Sequence, residues 1–402
     1  MAERIVIVGN GIAGTTAIKA IRETELESEI YLIGDEMFYP YNRIRLSKGI
    51  FGELNENTLL LQKKEWYEEN RVKLFINIKV LSIDTACEEV LLSNGMKIKY
   101  DKLLLSNGSR NSVPPIEGIE KSGVYSLRNL KDALDIKSGL NHSEEIIVIG
   151  GGIQGLETAW ILQQYGKKVK IIELQDRLMY NQLDHEAGEI LKIIIESYGL
   201  EILTNTTVKE IVASTGLGVV IDEKIQLQCD MVIYSAGIKP NIELVKNTEI
   251  KTSRGILVDN KMQTNIKNIY AAGDIAEFNN QVTGLWNIAI LQGKVAGYNI
   301  SEKETIYENI VPVTTLNAFG ISLFSMGRTD EGKSTKILIE EDFNLKQYKK
   351  IFISDNRIVG AIVIGDTKKS PLLKSAIEKA LSLEDIDLSA ISVNELLDKL
   401  KK

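Results

Sequence analysis

Two glycine-rich turns of the same type hold the residues of this chain best suited to bind a ligand. The first is Gly9-Asn10-Gly11-Ile12-Ala13-Gly14, and it follows the apolar run 5–8. The second is Gly150-Gly151-Gly152-Ile153-Gln154-Gly155, and it follows the apolar run 146–149. Each turn leads through a helix-like stretch to an apolar strand that ends in acid, Asp35-Glu36 after the first and Glu173 after the second. This order of elements is typical of dinucleotide binding, so we expect two bound dinucleotides and electron transfer between them.

Each glycine of such a turn has its own task. The first allows the tight turn, the second lets the backbone approach a pyrophosphate, and the third lets the helix pack closely on the strand. The helix N-terminus adds N–H groups, and the acid accepts hydrogen bonds from ribose hydroxyls. Two βαβ units without a ligand are the alternative, which the acid about 20 residues beyond each turn disfavours. The predicted contacts are Gly9, Gly11, Ile12, Ala13, Gly14, Asp35 and Glu36 for the first dinucleotide, and Gly150, Gly152, Gly155 and Glu173 for the second.

Length and composition are those of an ordinary globular protein. The 402 residues exceed one hydrophobic core and predict two or three domains. A net charge of −7 argues against nucleic-acid binding, which usually needs a basic face. No apolar run reaches the length of a membrane span, and the first strand begins too early for a leader peptide. We therefore expect a cytoplasmic protein with no membrane partner.

Cysteine and histidine are scarce. Cys87 and Cys229 lie far apart in the sequence and form no C-x-x-C pair, so both are interpreted as small half-buried side chains. With His142 and His185 as the two histidines, no metal site is expected. The redox chemistry must then come from organic cofactors.

The elements that position the turns alternate in the manner of an α/β protein. Glycine and proline clusters at 106–115 and 235–241 mark two crossings between domains. We predict two Rossmann-like dinucleotide-binding domains, one for each expected dinucleotide, plus a C-terminal α+β domain. The boundaries are 1–113 with 238–308, then 114–237, then 309–402. The main predicted strands are 3–8, 29–33, 97–105, 168–173, 200–213, 336–340, 347–354 and 357–365, and the main later helices are 184–198, 370–382 and 392–401.

The chain resembles the pyridine nucleotide–disulfide oxidoreductase superfamily of flavoprotein reductases. The resemblance spans nearly all residues and consists of the two turns, S-N-G-S at 106–109, S-A-G-I-K-P-N at 235–241 and Y-A-A-G-D at 270–274. It implies that the first turn holds non-covalent FAD and the second holds NAD(P)H. It also implies that Asp274 meets the ribityl–phosphate part of FAD, and that Gly108, Gly237 and Gly273 lie at the cofactors.

The segment 40–48 separates the subfamilies. Disulfide reductases carry redox cysteines beside the flavin, whereas this chain reads Leu46-Ser47-Lys48-Gly49 there. The segment instead resembles reductases of small iron–sulfur carriers and the N-terminal part of nitrite reductase large subunits. Residues 315–317, 323–327 and 359–367 are similar to the C-terminal domain of NADH:rubredoxin oxidoreductases.

The resemblance also implies catalytic roles. Lys48 and Glu157 would meet near flavin N5, where the lysine stabilises reduced flavin and the glutamate orients the lysine. A surface lysine and a helix-face glutamate that never meet are the alternative. Trp286 opens a helix whose positive end would favour negative charge at flavin N1 by roughly 0.3–1 kcal/mol. Ordinary packing of a buried tryptophan is the alternative there.

Other contacts follow from the same comparison. Arg43 and Arg128 are predicted partners of FAD phosphate or ring carbonyls, and ordinary exposed arginines without a ligand are the alternative. Val80 is predicted to offer its backbone near the adenine. Glu173 at its strand end accepts from the ribose 2′-OH of NADH and repels the 2′-phosphate of NADPH, so NADH is the expected coenzyme. Arg177 is assigned to the loop that follows.

The predicted function is a reductase that takes electrons from NADH through FAD to a small iron–sulfur carrier, above all rubredoxin. An NADH oxidase that reduces oxygen or peroxide is one alternative, and a redox-sensing flavoprotein with incidental turnover is another. An acidic carrier would need a local basic patch. The candidates for that patch are Arg43, Arg45, Lys368, Lys369 and Lys374, with a solvated face as the alternative.

Overall fold

A computed structural model describes residues 2–214, 216–222, 225–308, 310–342 and 345–401. Within these residues the helices are α1 (Ile12–Arg22), α2 (Leu46–Gly49), α3 (Glu56–Leu59), α4 (Lys64–Glu69), α5 (Leu130–Gly139), α6 (Ile153–Gln164), α7 (His185–Glu196), α8 (Trp286–Ile300), α9 (Ser370–Glu378) and α10 (Val393–Lys399). The strands are β1 (Arg4–Val8), β2 (Glu29–Ile33), β3 (Val72–Phe75), β4 (Val80–Asp84), β5 (Glu89–Leu92), β6 (Lys97–Lys99), β7 (Lys102–Leu105), β8 (Ser109–Asn111), β9 (Val124–Ser126), β10 (Glu145–Ile149), β11 (Lys168–Ile172), β12 (Glu201–Leu203), β13 (Val208–Val212), β14 (Leu217–Ile221), β15 (Ile225–Cys229), β16 (Met231–Tyr234), β17 (Ile238–Pro240), β18 (Ile256–Leu257), β19 (Ile269–Ala271), β20 (Ala276–Glu277), β21 (Val313–Ala318), β22 (Ile321–Gly327), β23 (Lys336–Asp342), β24 (Gln347–Ser354) and β25 (Arg357–Gly365).

The chain divides into two compact units. The first comprises Met1–Ser112, Arg128–Leu130 and Gly237–Asn309, and the second comprises Val113–Leu127, Lys131–Ala236 and Ile310–Lys402. The C-terminal segment thus groups with the part of the chain that contains the second glycine turn. The division into three domains with the boundaries given above stays a prediction.

A parallel sheet of five strands, in the order β19-β7-β1-β2-β3, forms the centre of the first unit. Parallel sheets are covered on both faces, which explains why residues 5–8 of β1 are all apolar and buried. The sheet delivers the first glycine turn at the C-terminal end of β1. A three-stranded antiparallel sheet, β4-β5-β6, adds its buried side chains to the same core.

Helix α8 packs on α1 with almost no side chain between the two backbones. A Cβ on Gly293 would lie 2.3 Å from the carbonyl oxygen of Ala13, and one on Gly297 would lie 2.4 Å from that of Ala17. Real Cβ atoms do not come so close, so these two positions require glycine. The small residues of α8 therefore serve close packing against α1, the helix that follows the first turn.

The second unit repeats this design around β10. Its parallel sheet has the order β12-β11-β10-β16-β9 and delivers the second turn at the end of β10. A five-stranded antiparallel sheet, β21-β22-β25-β24-β23, follows in the C-terminal segment. Helices α9 and α10 pack on one face of it, around Ile351, Ile353 and Leu396. The α/β class with a C-terminal α+β segment is confirmed.

Some predicted elements differ in detail. The strands 97–105 and 200–213 are each interrupted and form two strands, and the helix predicted over 370–382 ends at Glu378. Residues 40–70 contain three short helices that are not among the predicted elements, α2, α3 and α4. Helices of four to six residues show too little of the 3.6-residue repeat to be recognised in a sequence. Across the described ranges, no helix combines the length and the hydropathy needed to cross a membrane.

Candidate functional site

The first glycine turn has the geometry of a phosphate-binding loop. Gly9 has φ +104°, and a Cβ there would lie 2.2 Å from the carbonyl oxygen of Ser106 on the neighbouring chain segment. A Cβ on Gly14 would lie 2.4 Å from the Gly9 carbonyl oxygen, whereas a Cβ on Gly11 would meet nothing within 4 Å. Two glycines are thus required by the fold, and the middle one faces open space.

The second turn repeats these relations residue by residue. Gly150 has φ +110° and a Cβ there would lie 2.3 Å from the Ser235 carbonyl oxygen; one on Gly155 would lie 2.0 Å from that of Gly150. Gly152 again has nothing within 4 Å. Like Gly11, it is the N-cap of its helix and no side chain caps the N–H groups there. Both glycine turns therefore fit a dinucleotide pyrophosphate, which would fill the open space beside Gly11 or Gly152 and accept hydrogen bonds from the N–H groups of the following helix.

The first pair of acids is divided between two environments. Glu36 binds Arg43 through Oε1 and accepts a 2.7 Å hydrogen bond from the Tyr41 hydroxyl through Oε2, whereas Asp35 is exposed. Burial raises the pKa of Tyr41, so its hydroxyl stays a donor at neutral pH. The Arg43 guanidinium also donates to the carbonyl oxygen of Arg128 at 3.2 Å. Arg43 is thus held by groups of its own unit, and its contact with FAD stays a prediction.

Asp274 lies in a compact polar network in the first unit. Its Oδ2 accepts from Arg128 Nη2 at 2.7 Å and from the Ser109 hydroxyl at 2.8 Å. Arg128 Nε donates in addition to the Ser109 carbonyl oxygen at 3.0 Å. Gly108 and Gly273, which precede Ser109 and Asp274, have φ +62° and +82°. The network fixes the aspartate that is predicted to meet FAD, since charge-assisted hydrogen bonds are short and strong.

Ser109 and Tyr41 are the two members of these networks that the sequence motifs did not single out. Ser109 lies within the S-N-G-S crossing, and Tyr41 lies within Pro40-Tyr41-Asn42-Arg43. Their position inside motifs already assigned to FAD was the one available signal. A hydroxyl beside a charged motif residue is a natural hydrogen-bond partner for it.

The predicted catalytic pair is distributed over the two units. Lys48 is exposed on α2, directly after the buried residues Leu46 and Ser47. Glu157 is half-buried on α6, two residues beyond the third glycine of the second turn. Their pairing stays a prediction.

Three further residues predicted to contact a cofactor lie in the first unit. Trp286 is half-buried and is the first residue of α8, as predicted. Val80 is buried at the start of β4, where it pairs with Leu92. Gly237 has φ +86°, and its carbonyl oxygen accepts from the backbone N–H of Ser112 at 2.9 Å.

Glu173 is tied to the second turn itself. Its Oε2 accepts from the Gly151 N–H at 2.6 Å, and its Oε1 accepts from the Gln175 N–H at 2.7 Å. Arg177 is fixed in the next loop, as predicted, because it pairs with Asp176 at 2.6 Å and donates to the Leu183 carbonyl oxygen at 3.0 Å. A carboxylate at the strand end and an engaged arginine both favour a ribose 2′-OH over a 2′-phosphate.

The predicted basic patch is largely neutralised by ion pairs. Arg43 binds Glu36, Lys369 lies 2.8 Å from Asp398, and Lys374 lies 3.7 Å from Glu378. Arg45 donates to the Thr58 carbonyl oxygen at 2.9 Å and Lys368 is exposed. Within the described part of the chain, Arg45 of the first unit and Lys368 of the second have no ion pair. The other three candidates are paired, and a basic patch stays a prediction.

The comparisons with known proteins cover almost the whole chain. Residues 3–293 match the model of the pyridine nucleotide-disulphide oxidoreductase family, and residues 312–381 match the rubredoxin NAD+ reductase C-terminal domain. The NADH-rubredoxin oxidoreductase of Clostridium acetobutylicum is 34% identical over 98% of this chain and 99% of its own length. The crystal structure of NADH:rubredoxin oxidoreductase from the same organism has a TM-score of 0.83 at 32% identity, with 99% and 100% of the two chains covered.

Other relatives differ in length or in name. The nitrite reductase [NAD(P)H] of Bacillus subtilis is 35% identical over 100% of this chain, which spans 49% of that protein. The NADH oxidase of Methanocaldococcus jannaschii is 27% identical over 95% of this chain and 93% of its own length.

Proposed function

The chain belongs to the pyridine nucleotide-disulphide oxidoreductase family, and we propose that it is an FAD-dependent NADH reductase that passes electrons to a small iron–sulfur carrier, rubredoxin. The observation that carries the proposal is the order of the two matched domains. In this chain the rubredoxin NAD+ reductase C-terminal domain at 312–381 follows the oxidoreductase domain at 3–293. The NADH-rubredoxin oxidoreductase of Clostridium acetobutylicum matches this chain over 99% of its own length.

The cysteines support the choice of acceptor. The segment 46–49 contains no cysteine, whereas disulfide reductases carry redox cysteines in the corresponding segment. Of the two cysteines in the sequence, Cys87 is exposed beside β5 and Cys229 is buried in β15. Burial raises the pKa of Cys229 to about 12, which leaves its thiol unreactive. Electrons would then leave the flavin without a protein dithiol.

The residues of the chain bind and orient the two nucleotides. Bound FAD supplies the group that accepts two electrons from NADH and releases them singly to an iron–sulfur centre. The N–H groups after Gly11 and Gly152 would hold the two pyrophosphates, while Asp274, fixed by Arg128, would orient the FAD chain. Glu173 would bind the ribose of NADH. Lys48 would stabilise negative charge on the reduced cofactor, with Glu157 orienting its ammonium group.

An NADH oxidase is the second candidate, favoured by the relative of that name in Methanocaldococcus jannaschii. Oxygen needs access to the flavin, whereas rubredoxin needs a docking surface as well.

We propose that the protein acts in the cytoplasm, because NADH is a coenzyme of that compartment.

The deciding experiment is anaerobic stopped-flow spectrophotometry. The flavin is reduced with NADH, and the reduced protein is mixed with rubredoxin or with air-saturated buffer. Rapid reduction of rubredoxin with slow reoxidation by oxygen is the expected result. Rapid reoxidation by oxygen with inert rubredoxin would favour the oxidase, and slow transfer to both would favour a redox sensor. A flavin that NADH does not bleach would contradict all three.

A further inference from the structure

A polar cluster around the buried Lys350 in the second unit joins the C-terminal sheet to the loop that follows Glu173. We call residues 174–184 the coenzyme loop, because they connect the predicted ribose-binding acid to the N-cap of α7. The loop starts directly after Glu173, whose carboxylate accepts from the Gly151 N–H, and its last residue, Asp184, binds Lys350 of the antiparallel sheet. Its two ends are held by different kinds of contact.

The first part of the loop lies directly on the glycine turn. The backbone N–H of Met179 donates to the Gly151 carbonyl oxygen at 3.0 Å, and Leu178 and Met179 are both buried. A Cβ on Gly151 would lie 2.5 Å from Leu178 Cδ2. Met179 has φ +48°, a conformation that is uncommon for a residue with a side chain. The loop and the turn are therefore in direct contact, through one backbone hydrogen bond and the packing of Leu178 on Gly151.

The end of the loop is held by Lys350 of β24, which is 1% exposed. Its Nζ lies 2.5 Å from Asp184 Oδ2 and 3.5 Å from Glu186 Oε2, and it also binds Glu331. Burial alone would lower the pKa of Lys350, but the hydrogen bonds to Asp184 and Glu331 raise it, so the ammonium stays charged. Asp184 in turn caps α7, since its Oδ1 accepts from the Ala187 N–H at 3.0 Å.

Two more side chains of the same sheet contact this region. The Ser325 hydroxyl of β22 donates to the Gln182 carbonyl oxygen at 2.5 Å. The hydroxyl of Tyr348, a fully buried residue of β24, lies 3.2 Å from Asp184 Oδ2 and 3.0 Å from Glu186 Oε2. The sheet thus contacts the loop at a backbone carbonyl and at its last side chain.

We propose that Lys350 and Ser325 are positioning residues for NADH, because they fix the coenzyme loop against the second glycine turn. The C-terminal sheet then contributes to coenzyme affinity. This inference rests on the proposed function, in which the second turn binds NADH. Neither residue contacts the turn itself, so each acts through Asp184 or Gln182 and the loop that leads back to Gly151.

Lys350→Met tests the inference against Lys349→Met as a matched control. Lys349 is the neighbouring residue of β24, and its Nζ lies 2.9 Å from Glu340, away from the coenzyme loop. We expect Lys350→Met to raise the Kd for NADH about tenfold, or ~1.4 kcal/mol, in the range by which coupled residues alter binding. Flavin content and kcat at saturating NADH should change by less than about twofold, and Lys349→Met should leave the Kd unchanged.

Ser325→Ala keeps the inference testable if Lys350→Met does not fold, because it removes one hydroxyl and no charge. It should raise the Kd for NADH by a smaller factor in the same direction. An unchanged Kd in Ser325→Ala and in a folded Lys350→Met would overturn the inference, as would an equal rise in Lys349→Met. Failure of NADH to reduce the wild-type flavin would instead overturn the proposed function, so the two failures are distinguishable.

Discussion

The assignment of one nucleotide to each glycine turn can be tested with a pair of alanine substitutions. Gly11 and Gly152 are the middle glycines, and a Cβ on either meets no protein atom within 4 Å. Their φ angles of −77° and −78° suit alanine. Gly→Ala at a compatible φ stabilises a fold by about 0.4–1 kcal/mol, while alanine is less favourable than glycine at a helix N-cap by an amount of similar size. The two effects offset each other, so neither Gly11→Ala nor Gly152→Ala should lower Tm appreciably.

The same methyl group would occupy the space of a bound pyrophosphate. Overpacking of this kind costs about 1–3 kcal/mol, which corresponds to a roughly 5- to 150-fold weaker complex. Gly11→Ala should therefore raise the Kd for FAD and leave NADH affinity unchanged once the protein is saturated with FAD. Gly152→Ala should raise the Kd for NADH and leave flavin content unchanged.

Flavin absorbance after dialysis and anaerobic NADH titration measure the two affinities, and thermal unfolding measures the stability. Gly9→Ala serves as the contrasting control, because its Cβ would overlap the Ser106 carbonyl oxygen and the backbone strain alone costs ~1–3 kcal/mol. It should lower Tm, unlike Gly11→Ala. Loss of flavin in Gly152→Ala with normal flavin in Gly11→Ala would show that the assignments are reversed. Normal affinities in both variants would refute the pyrophosphate role of the turns.

Three further predictions concern side chains of the site. Glu173→Ala should lower the ratio of kcat/KM for NADH over NADPH about tenfold or more, because a hydrogen bond to a charged group contributes about 1.5–3 kcal/mol; an unchanged ratio contradicts the role. Lys48→Met should slow flavin reduction by NADH at least about tenfold in stopped-flow traces. If the two side chains act as a pair, adding Glu157→Gln to Lys48→Met should slow the reaction little further; additive effects of the two substitutions argue against the pair. Arg128→Met should raise the Kd for FAD about tenfold or more through the loss of its charge-assisted hydrogen bond to the half-buried Asp274. Arg110→Met, which breaks an exposed ion pair, should leave the Kd unchanged; equal effects of the two substitutions contradict the network.

The two nucleotide-binding turns could be predicted from the sequence because their requirement is local. Gly9 and Gly150 need φ above +100°, and Gly14 and Gly155 need the absence of a Cβ, so glycine recurs at the same spacing in both units. The strands around the turns are buried on both faces and are therefore continuously apolar. Local backbone geometry and burial can therefore be predicted from the residue types and their spacing in the sequence.

The charge pattern of the surface could not be predicted in the same way. Lys369 pairs with Asp398 on the next helix, and Arg43 pairs with Glu36 across a loop. Such partners are chosen by tertiary folding, and a run of lysines in the sequence contains no information about them. The five expected docking cations accordingly reduce to Arg45 and Lys368. With fewer unpaired cations among the candidates, binding of an acidic carrier should depend less on salt concentration than five unpaired cations would predict.

Lys350 illustrates the same limit within a strand. Alternation along β24 places Ile351 and Ile353 on the face covered by α9 and α10, so Tyr348 and Lys350 belong to the other face. A lysine on the second face of an antiparallel sheet normally indicates solvent, yet this one is buried against Asp184, far away in the sequence. Because a buried charge without its partner is strongly destabilising, the second face of the sheet must be covered by the segment that carries Asp184. The lysine therefore couples the C-terminal sheet to the loop beyond Glu173, which is why the two segments form one compact unit.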